Sequence, residues 1–272
     1  PEEAGAAFLP SEIPGHDLLC AGFPCQPFST IGKREGFKHP TQGTLFFDIF
    51  RILQEKRPRA FILENVPGLT SHLKGRTMRT IERHLACSVN GKRRRYRAKD
   101  CLDYHVFHAV LDARDFGVPQ NRERLFIVGF CSERFSKPPG FLFPGPASEP
   151  VPVGRFVEEL SEGYEISRHL QDVYIHKADD GRPQIIDRAS TCQAKTLVAS
   201  YHKIQRLTGT FVRGGSTGLR LLSHNECKAL MGYDKDFVIP VSRTQMYRQM
   251  GNSVAIPVVE AIGRQMLPHV LS

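Results

Sequence analysis

Short apolar runs alternate with amphipathic stretches through the first half of the chain. Residues 16–21, "HDLLCA", have strand length, and we expect a short buried strand there. Residues 22–43 form a loop rich in Gly, Lys and Pro. From Thr44 onward, Leu45, Phe46, Ile49, Ile52 and Leu53 recur at helical spacing, and Pro58 stops the helix they predict. "AFILEN", residues 60–65, predicts a second strand ending in Glu64 and Asn65, ahead of the breaker Pro67. A helix over 77–86 comes next, then the basic run "GKRRRYRAKD". A third strand follows in "YHVFHAVLDA" and a fourth in "RLFIVGF", residues 124–130.

Strands alternating with helices predict an α/β fold with a mainly parallel sheet. Ligands of such sheets bind beyond the carboxyl ends of the strands. Glu64 lies at one such end and Cys25 just past another, so the two are expected to share a crevice.

The texture changes at "SKPPGFLFPGPASEPVP", residues 136–152, which reads as an irregular bridge. Weak periodicity follows, with strand-like pieces over 195–200 and 207–212. "SHNECKALMG" then carries a capping box, Ser223 with Glu226, and Gly232 closes the helix it opens. The last segment predicts two helices broken at Gly251–Asn252. We therefore expect an α/β domain over 1–135, a small loop-rich domain over 136–241, and C-terminal helices over 242–272 that return to the first domain.

Charge alters this picture. The 272 residues carry 37 Lys plus Arg against 28 Asp plus Glu, a net +9, which favours a polyanionic partner such as nucleic acid. Seven scattered cysteines without a C-x-x-C pair favour a reduced, intracellular chain. No apolar run approaches the ~18 residues of a membrane span. Pro1, in place of methionine, suggests a chain that begins inside a longer gene product.

The candidate chemistry centres on "AGFPCQPFST", where prolines flank Cys25 directly after a strand. Such a thiol either fills space or is aimed. A phosphatase nucleophile would need arginine at position 31, which is Ile31, and Cys20 and Cys25 lack a second ligand pair for zinc. Glu64 places a carboxylate at a neighbouring strand end. In "PQNRERLFIVGF" the residues Gln120, Arg122 and Arg124 alternate, so they share one side if that segment is extended.

Taken together, "GFPCQPFS", "ENV", "QNRER", "RLLSHNECKALMGY" and "YRQMGNSVAIPV" stand in the order found in DNA cytosine-5 methyltransferases, which the chain resembles over nearly its whole length. The resemblance implies a Rossmann-like S-adenosylmethionine-dependent methyltransferase sheet with a target-recognition domain, of bacterial restriction–modification type, in the cytoplasm with the nucleoid. It implies methyl transfer to carbon 5 of cytosine in double-stranded DNA, without a metal, after the target base has left the helix stack. Carbon 5 is a poor nucleophile until a thiolate adds to carbon 6, and Cys25 takes that role. Cysteine suits it because a few per cent is already thiolate near pH 7. Glu64 takes ring nitrogen 3, Arg124 the base carbonyl, and Arg122 organises the pocket. A base then removes the carbon 5 proton, and the electrons it leaves expel the thiolate. The cofactor falls to Pro24, Leu45, Asn252, Ser253 and Val254. DNA contacts fall to Ser29, Lys33, Arg34 and Gln120, the loop after Cys25 closing on glycines at 32, 36 and 43.

The family pattern also includes a glycine-rich turn and an acid for the ribose, and neither precedes Cys25. We expect a fragment, or one half of a split enzyme completed by a separate chain that supplies those parts. A non-catalytic DNA-binding relative is the alternative. Cys25, Glu64 and Arg124 weigh against it, since binding alone needs none of them.

Overall fold

The structure is a computed structural model that describes residues 9–23, 45–159 and 162–271. The chain divides into two compact units. The first comprises 1–110, 124–143 and 265–272; the second comprises 111–123 and 144–264.

The six-stranded sheet runs in the order β1 (Leu18–Gly22), β2 (Ala60–Asn65), β6 (Glu123–Cys131), β5 (Tyr104–Asp112), β3 (Ala86–Val89), β4 (Lys92–Arg93). It is mixed, which corrects the mainly parallel sheet expected. β1 with β2 and β3 with β5 are parallel, whereas β2 with β6 and β3 with β4 are antiparallel. β3 and β4 are joined by two residues alone, a connection that only antiparallel neighbours allow.

Helix α1 (Leu45–Lys56) crosses from β1 to β2, and α2 (Arg76–Leu85) precedes β3. Of the apolar positions read in α1, Phe46, Ile49 and Leu53 are buried with Phe50, whereas Ile52 is half-buried and Leu45 exposed. The buried residues pack with Phe61 and Leu63 of β2, Ile81 and Leu85 of α2, and Tyr104 of β5. Gly129 of β6 lies opposite Phe61, and a Cβ there would come within 2.2 Å of the Phe61 ring. Glycine is what lets that ring cross the neighbouring strand.

β1 was expected to be buried. Among the described residues it stands at the edge of the sheet, with Leu18, Cys20 and Gly22 exposed on one face and Leu19 and Ala21 packed against the core. β3 and β4 form a hairpin where the sequence predicts a helix followed directly by the basic run. Asn90 and Gly91 both take positive φ, 47° and 77°, as a tight two-residue hairpin turn requires.

The second unit is built from short pieces. β7 (Gln184–Ile186), β8 (Thr210–Arg213) and β9 (Leu219–Arg220) make a three-stranded sheet. A helical turn, α3 (Arg168–Leu170), leads into the longer helices α4 (His224–Met231) and α5 (Arg243–Asn252); α6 (Ile256–Val270) ends the chain. The capping box at Ser223 and Glu226 forms as expected, and Gly232 terminates α4 with φ 72°. Arg220, 2% exposed, meets both oxygens of Glu226 at 2.7 and 2.8 Å, so the capping carboxylate is also the partner of a buried guanidinium.

Two local expectations are corrected here. Residues 195–198 join no strand ladder and 199–200 form a turn; the Leu197 amide and carbonyl are taken by the side chains of Gln120 and Arg122. The helix break lies at 253–255 rather than at Gly251–Asn252, because α5 continues through Asn252 and Ser253 turns extended, with ψ 165°.

Candidate active site

Each side chain singled out in the sequence has a distinct place. Pro24, Cys25, Ser29, Lys33 and Arg34 lie outside the described residues, as does the loop expected to close over DNA. The frame that leads into Cys25 is described. β1 ends at Gly22, which lies in register with Glu64 of β2, and Phe23 follows, buried.

Glu64 is held from two sides. In the antiparallel β2–β6 ladder it faces Phe126, so Arg124, two residues earlier, reaches it diagonally on the same face. Arg124 Nε donates to Glu64 Oε1 at 2.9 Å, and the two side chains are 16% and 17% exposed. Burial pulls the Arg124 guanidinium below its ordinary pKa, while the Glu64 charge and hydrogen bond oppose that pull. On the other side, a Cβ at Gly22 would lie 3.4 Å from Glu64 Oε2. Glycine at the end of β1 thus leaves a larger side chain out of the space beside the carboxylate.

Asn65, next in the chain, is 3% exposed and was given no role of its own in the sequence. Its Nδ2 donates to the Phe23 carbonyl at 2.7 Å, and its Oδ1 accepts from the Val66 amide at 2.9 Å. This is a long-range tie, from the end of β2 to the residue just before Pro24–Cys25. Its only trace in the sequence is an asparagine beside Glu64, a residue type that ordinarily signals a turn.

The second unit contains the other half of the expected constellation. Arg122 is 2% exposed and donates to three carbonyls: Leu197 at 2.9 Å, Gly251 at 3.0 Å and Ser253 at 2.6 Å. These bonds pin the turn over 251–254 to the backbone at 197. Tyr233, just after α4, places its Oη 2.6 Å from the Ser253 Oγ. Gly251 makes the packing possible: a Cβ there would sit 2.1 Å from the Ala199 amide nitrogen. Within the turn Asn252 is exposed, and Ser253 and Val254 are half-buried. In the first unit, Leu45 opens α1 with its side chain 54% exposed.

Gln120 departs from its expected place at DNA. It is fully buried: its Nε2 donates to the Leu230 carbonyl at 2.5 Å, and its Oε1 accepts from the Leu197 amide at 2.6 Å. Both ends of the amide therefore work inside the second unit. Alternation along 120–124 suggested a shared face for Gln120, Arg122 and Arg124. Only Arg124 belongs to a regular strand; Gln120 makes an isolated bridge with Ala194.

Among the described residues no cluster of His, Cys, Asp and Glu has the makings of a metal site, and no helix is long and apolar enough to cross a membrane.

These features converge with comparisons to known proteins. The model of the C-5 cytosine-specific DNA methylase family matches residues 3–268. The chain belongs to that family. A Type II methyltransferase of Moraxella sp, M.MspI, is 54% identical over 254 residues, covering 93% of this chain and 56% of the relative. A second, M.BsuFI of Bacillus subtilis, is 50% identical over 262 residues, covering 96% and 60%. The chain thus spans little more than half the length of these members of the family. The fold is shared with the S. pombe Dnmt2 methyltransferase, TM-score 0.64 at 18% identity, covering 94% of this chain and 79% of that one. It is shared equally with the Entamoeba histolytica methyltransferase EhMeth, TM-score 0.65 at 17% identity, with 94% and 78% covered. The α/β fold of these methyltransferases is therefore the fold of this chain.

Proposed function

We propose that this chain carries the base-activating part of an enzyme that methylates carbon 5 of cytosine in double-stranded DNA, using S-adenosylmethionine. The observation that supports this most is the Arg124–Glu64 pair beside the end of β1, three residues ahead of Cys25. DNA binding alone does not call for a half-buried carboxylate and guanidinium paired at the strand end that leads toward Cys25.

In this reading Cys25 Sγ, as thiolate, bonds to carbon 6 of a cytosine turned out of the duplex. The carboxyl of Glu64 meets ring nitrogen 3, where the charge of that addition collects. Arg124, fixed through Nε, receives the base carbonyl and keeps the ring in register. Loss of the carbon 5 proton afterwards returns its electrons to the ring and breaks the sulfur–carbon bond. Asn65 acts as a positioning residue for Phe23 and so for the chain that leads into Cys25, and Gln120 and Arg122 position the backbone around Leu197 and residues 251–254.

The residues present suit part of a cofactor site. Taken by itself, the exposed apolar Leu45 of the first unit suits an apolar ligand face; in the second unit, the Ser253 hydroxyl and the backbone groups of Asn252 and Val254 suit a polar one. When bound, S-adenosylmethionine supplies an electrophilic methyl group. The glycine-rich turn and the ribose-binding acid of the family pattern do not precede Cys25, so we propose that turnover needs those parts supplied, in the same protein or by another chain. The segment over 136–241 is the proposed reader of the target sequence.

DNA with 5-fluorocytosine at the target tests the reading. The fluorine replaces the proton that must leave, so the covalent adduct persists after methyl transfer. A stable adduct, formed when the missing cofactor-binding parts are supplied, supports the proposal. DNA binding with no adduct under those conditions assigns the chain to the non-catalytic alternative.

A further inference from the structure

The basic run over 92–99 has no part in the chemistry above, yet the fold gives it a definite shape. Lys92 and Arg93 form β4, tied into the sheet through β3. The hairpin is anchored at several points: Asn90 N donates to the Val106 carbonyl at 2.9 Å, Arg94 N to Cys87 at 2.9 Å, and Ala98 N to Arg83 at 2.9 Å. Arg94 also pairs with Glu82 of α2, and His108 lies 3.3 Å from the same carboxylate. The run is therefore a fixed surface and not a loose charged loop.

That anchoring has an electrostatic consequence. Glu82, on α2 between Arg79 and Arg83, is already engaged by Arg94 and His108. Around it, Arg79, Arg83, Lys92, Arg93 and Arg95 are exposed, and none forms an ion pair among the described residues. Arg79 and Arg83 stand one turn apart on α2, on the same face. Together with Tyr96 these residues line one pocket of about 400 Å³. Tyr96 is 70% exposed, with the Arg95 guanidinium 5.8 Å from its ring centroid.

We propose that this α2–hairpin surface binds the phosphate backbone of duplex DNA as a contact separate from the residues that act on the base. All five cations are exposed and none converges on an enclosed donor set. Such a surface matches a polyanion that spreads its charge, and not a single phosphate ion. The choice of DNA rests on the proposed function; the presence of a polyanion site does not. Contacts of this kind fix position and affinity without reading sequence.

The test is the salt dependence of duplex binding by the full chain, followed by fluorescence anisotropy. The combined variant Arg83→Gln, Lys92→Gln, Arg93→Gln, Arg95→Gln should bind at least ten-fold more weakly at 50 mM salt. Its slope of log affinity against log salt should be shallower by about 2–4, since each phosphate contact contributes ~0.9. The charge-preserving variant Arg83→Lys, Arg93→Lys, Arg95→Lys should keep the wild-type slope, which separates lost charge from lost folding. An unchanged slope in the glutamine variant overturns the proposal. So does a slope that changes for duplex RNA alone, or displacement of DNA by inorganic phosphate beyond that by chloride at equal ionic strength. Trapping by 5-fluorocytosine is read separately: its failure in the wild type counts against the methyltransferase reading and leaves the slope measurement standing.

Discussion

The Asn65 amide donates a 2.7 Å hydrogen bond to the carbonyl of Phe23, joining the end of β2 to the residue two before Cys25. Both partners are buried, so the bond is made away from competing water. Removing the amide leaves that carbonyl without its side-chain donor, a loss that costs ~1–3 kcal/mol for a buried group. Asn65→Ala should therefore lower the urea midpoint and slow adduct formation at least ten-fold, with DNA affinity within two-fold of wild type. Single-turnover trapping beside equilibrium binding checks this. Equal losses in both would make Asn65 a general stability residue.

Glu64 faces Arg124 across the β2–β6 ladder. Glu64→Gln keeps the shape and removes the charge and the acid–base group. Turnover should fall by ~10²–10⁴, the scale of a lost acid–base contribution, while DNA binding stays near wild type. A rate within two-fold of wild type, measured by methyl incorporation in the reconstituted enzyme, would reduce Glu64 to a partner that only holds Arg124.

Gly251 sits where a Cβ would meet the Ala199 amide at 2.1 Å, and backbone cannot yield as a flexible side chain does. Gly251→Ala should destabilise the second unit by ~1–3 kcal/mol, as overpacking does. It should also disturb the carbonyls of Gly251 and Ser253 that Arg122 holds. Denaturant unfolding reads the first effect; an unchanged midpoint would mean that the helix can shift away from 198–199 freely.

The Glu82 carboxyl titrates below its ordinary value. Burial pushes it up, but the His108 hydrogen bond and the charge and hydrogen bond of Arg94 outweigh burial. A depressed folded pKa means that the unfolded chain takes up the proton first. The stabilisation is then fully present above ~4.3, the ordinary glutamate value, and is lost as pH falls through the folded value. Glu82→Gln should thus lower the urea midpoint clearly at pH 7 and progressively less below pH 4. A constant difference across that range would contradict the assignment.

Much of this was legible in the sequence where local patterns coincide with the fold. α1 is buried on the face that Phe46, Ile49 and Leu53 mark, and the capping box at Ser223 and Glu226 forms as read. The Asn90–Gly91 dipeptide ahead of the basic run is a two-residue hairpin signal, and the hairpin forms there. Other features had no local signature. That Gln120 is buried, that β1 stands at the sheet edge among the described residues, and that Asn65 reaches Phe23 all depend on partners 42 to 111 residues away. The shared face expected of Gln120, Arg122 and Arg124 held only if the segment is extended; the side-chain bonds of Gln120 and Arg122 to a distant backbone replace strand pairing there.

The central claim is that Cys25 is the nucleophile that Glu64 and Arg124 serve. It is tested most directly by trapping on DNA with 5-fluorocytosine at the target, with S-adenosylmethionine and the glycine-turn and ribose-acid parts supplied, followed by mass analysis of the adduct. The account expects a single chain–DNA species with the modified base attached at Cys25, absent in Cys25→Ser and strongly reduced in Glu64→Gln. An adduct that persists in Cys25→Ser, or maps to another cysteine, would contradict it.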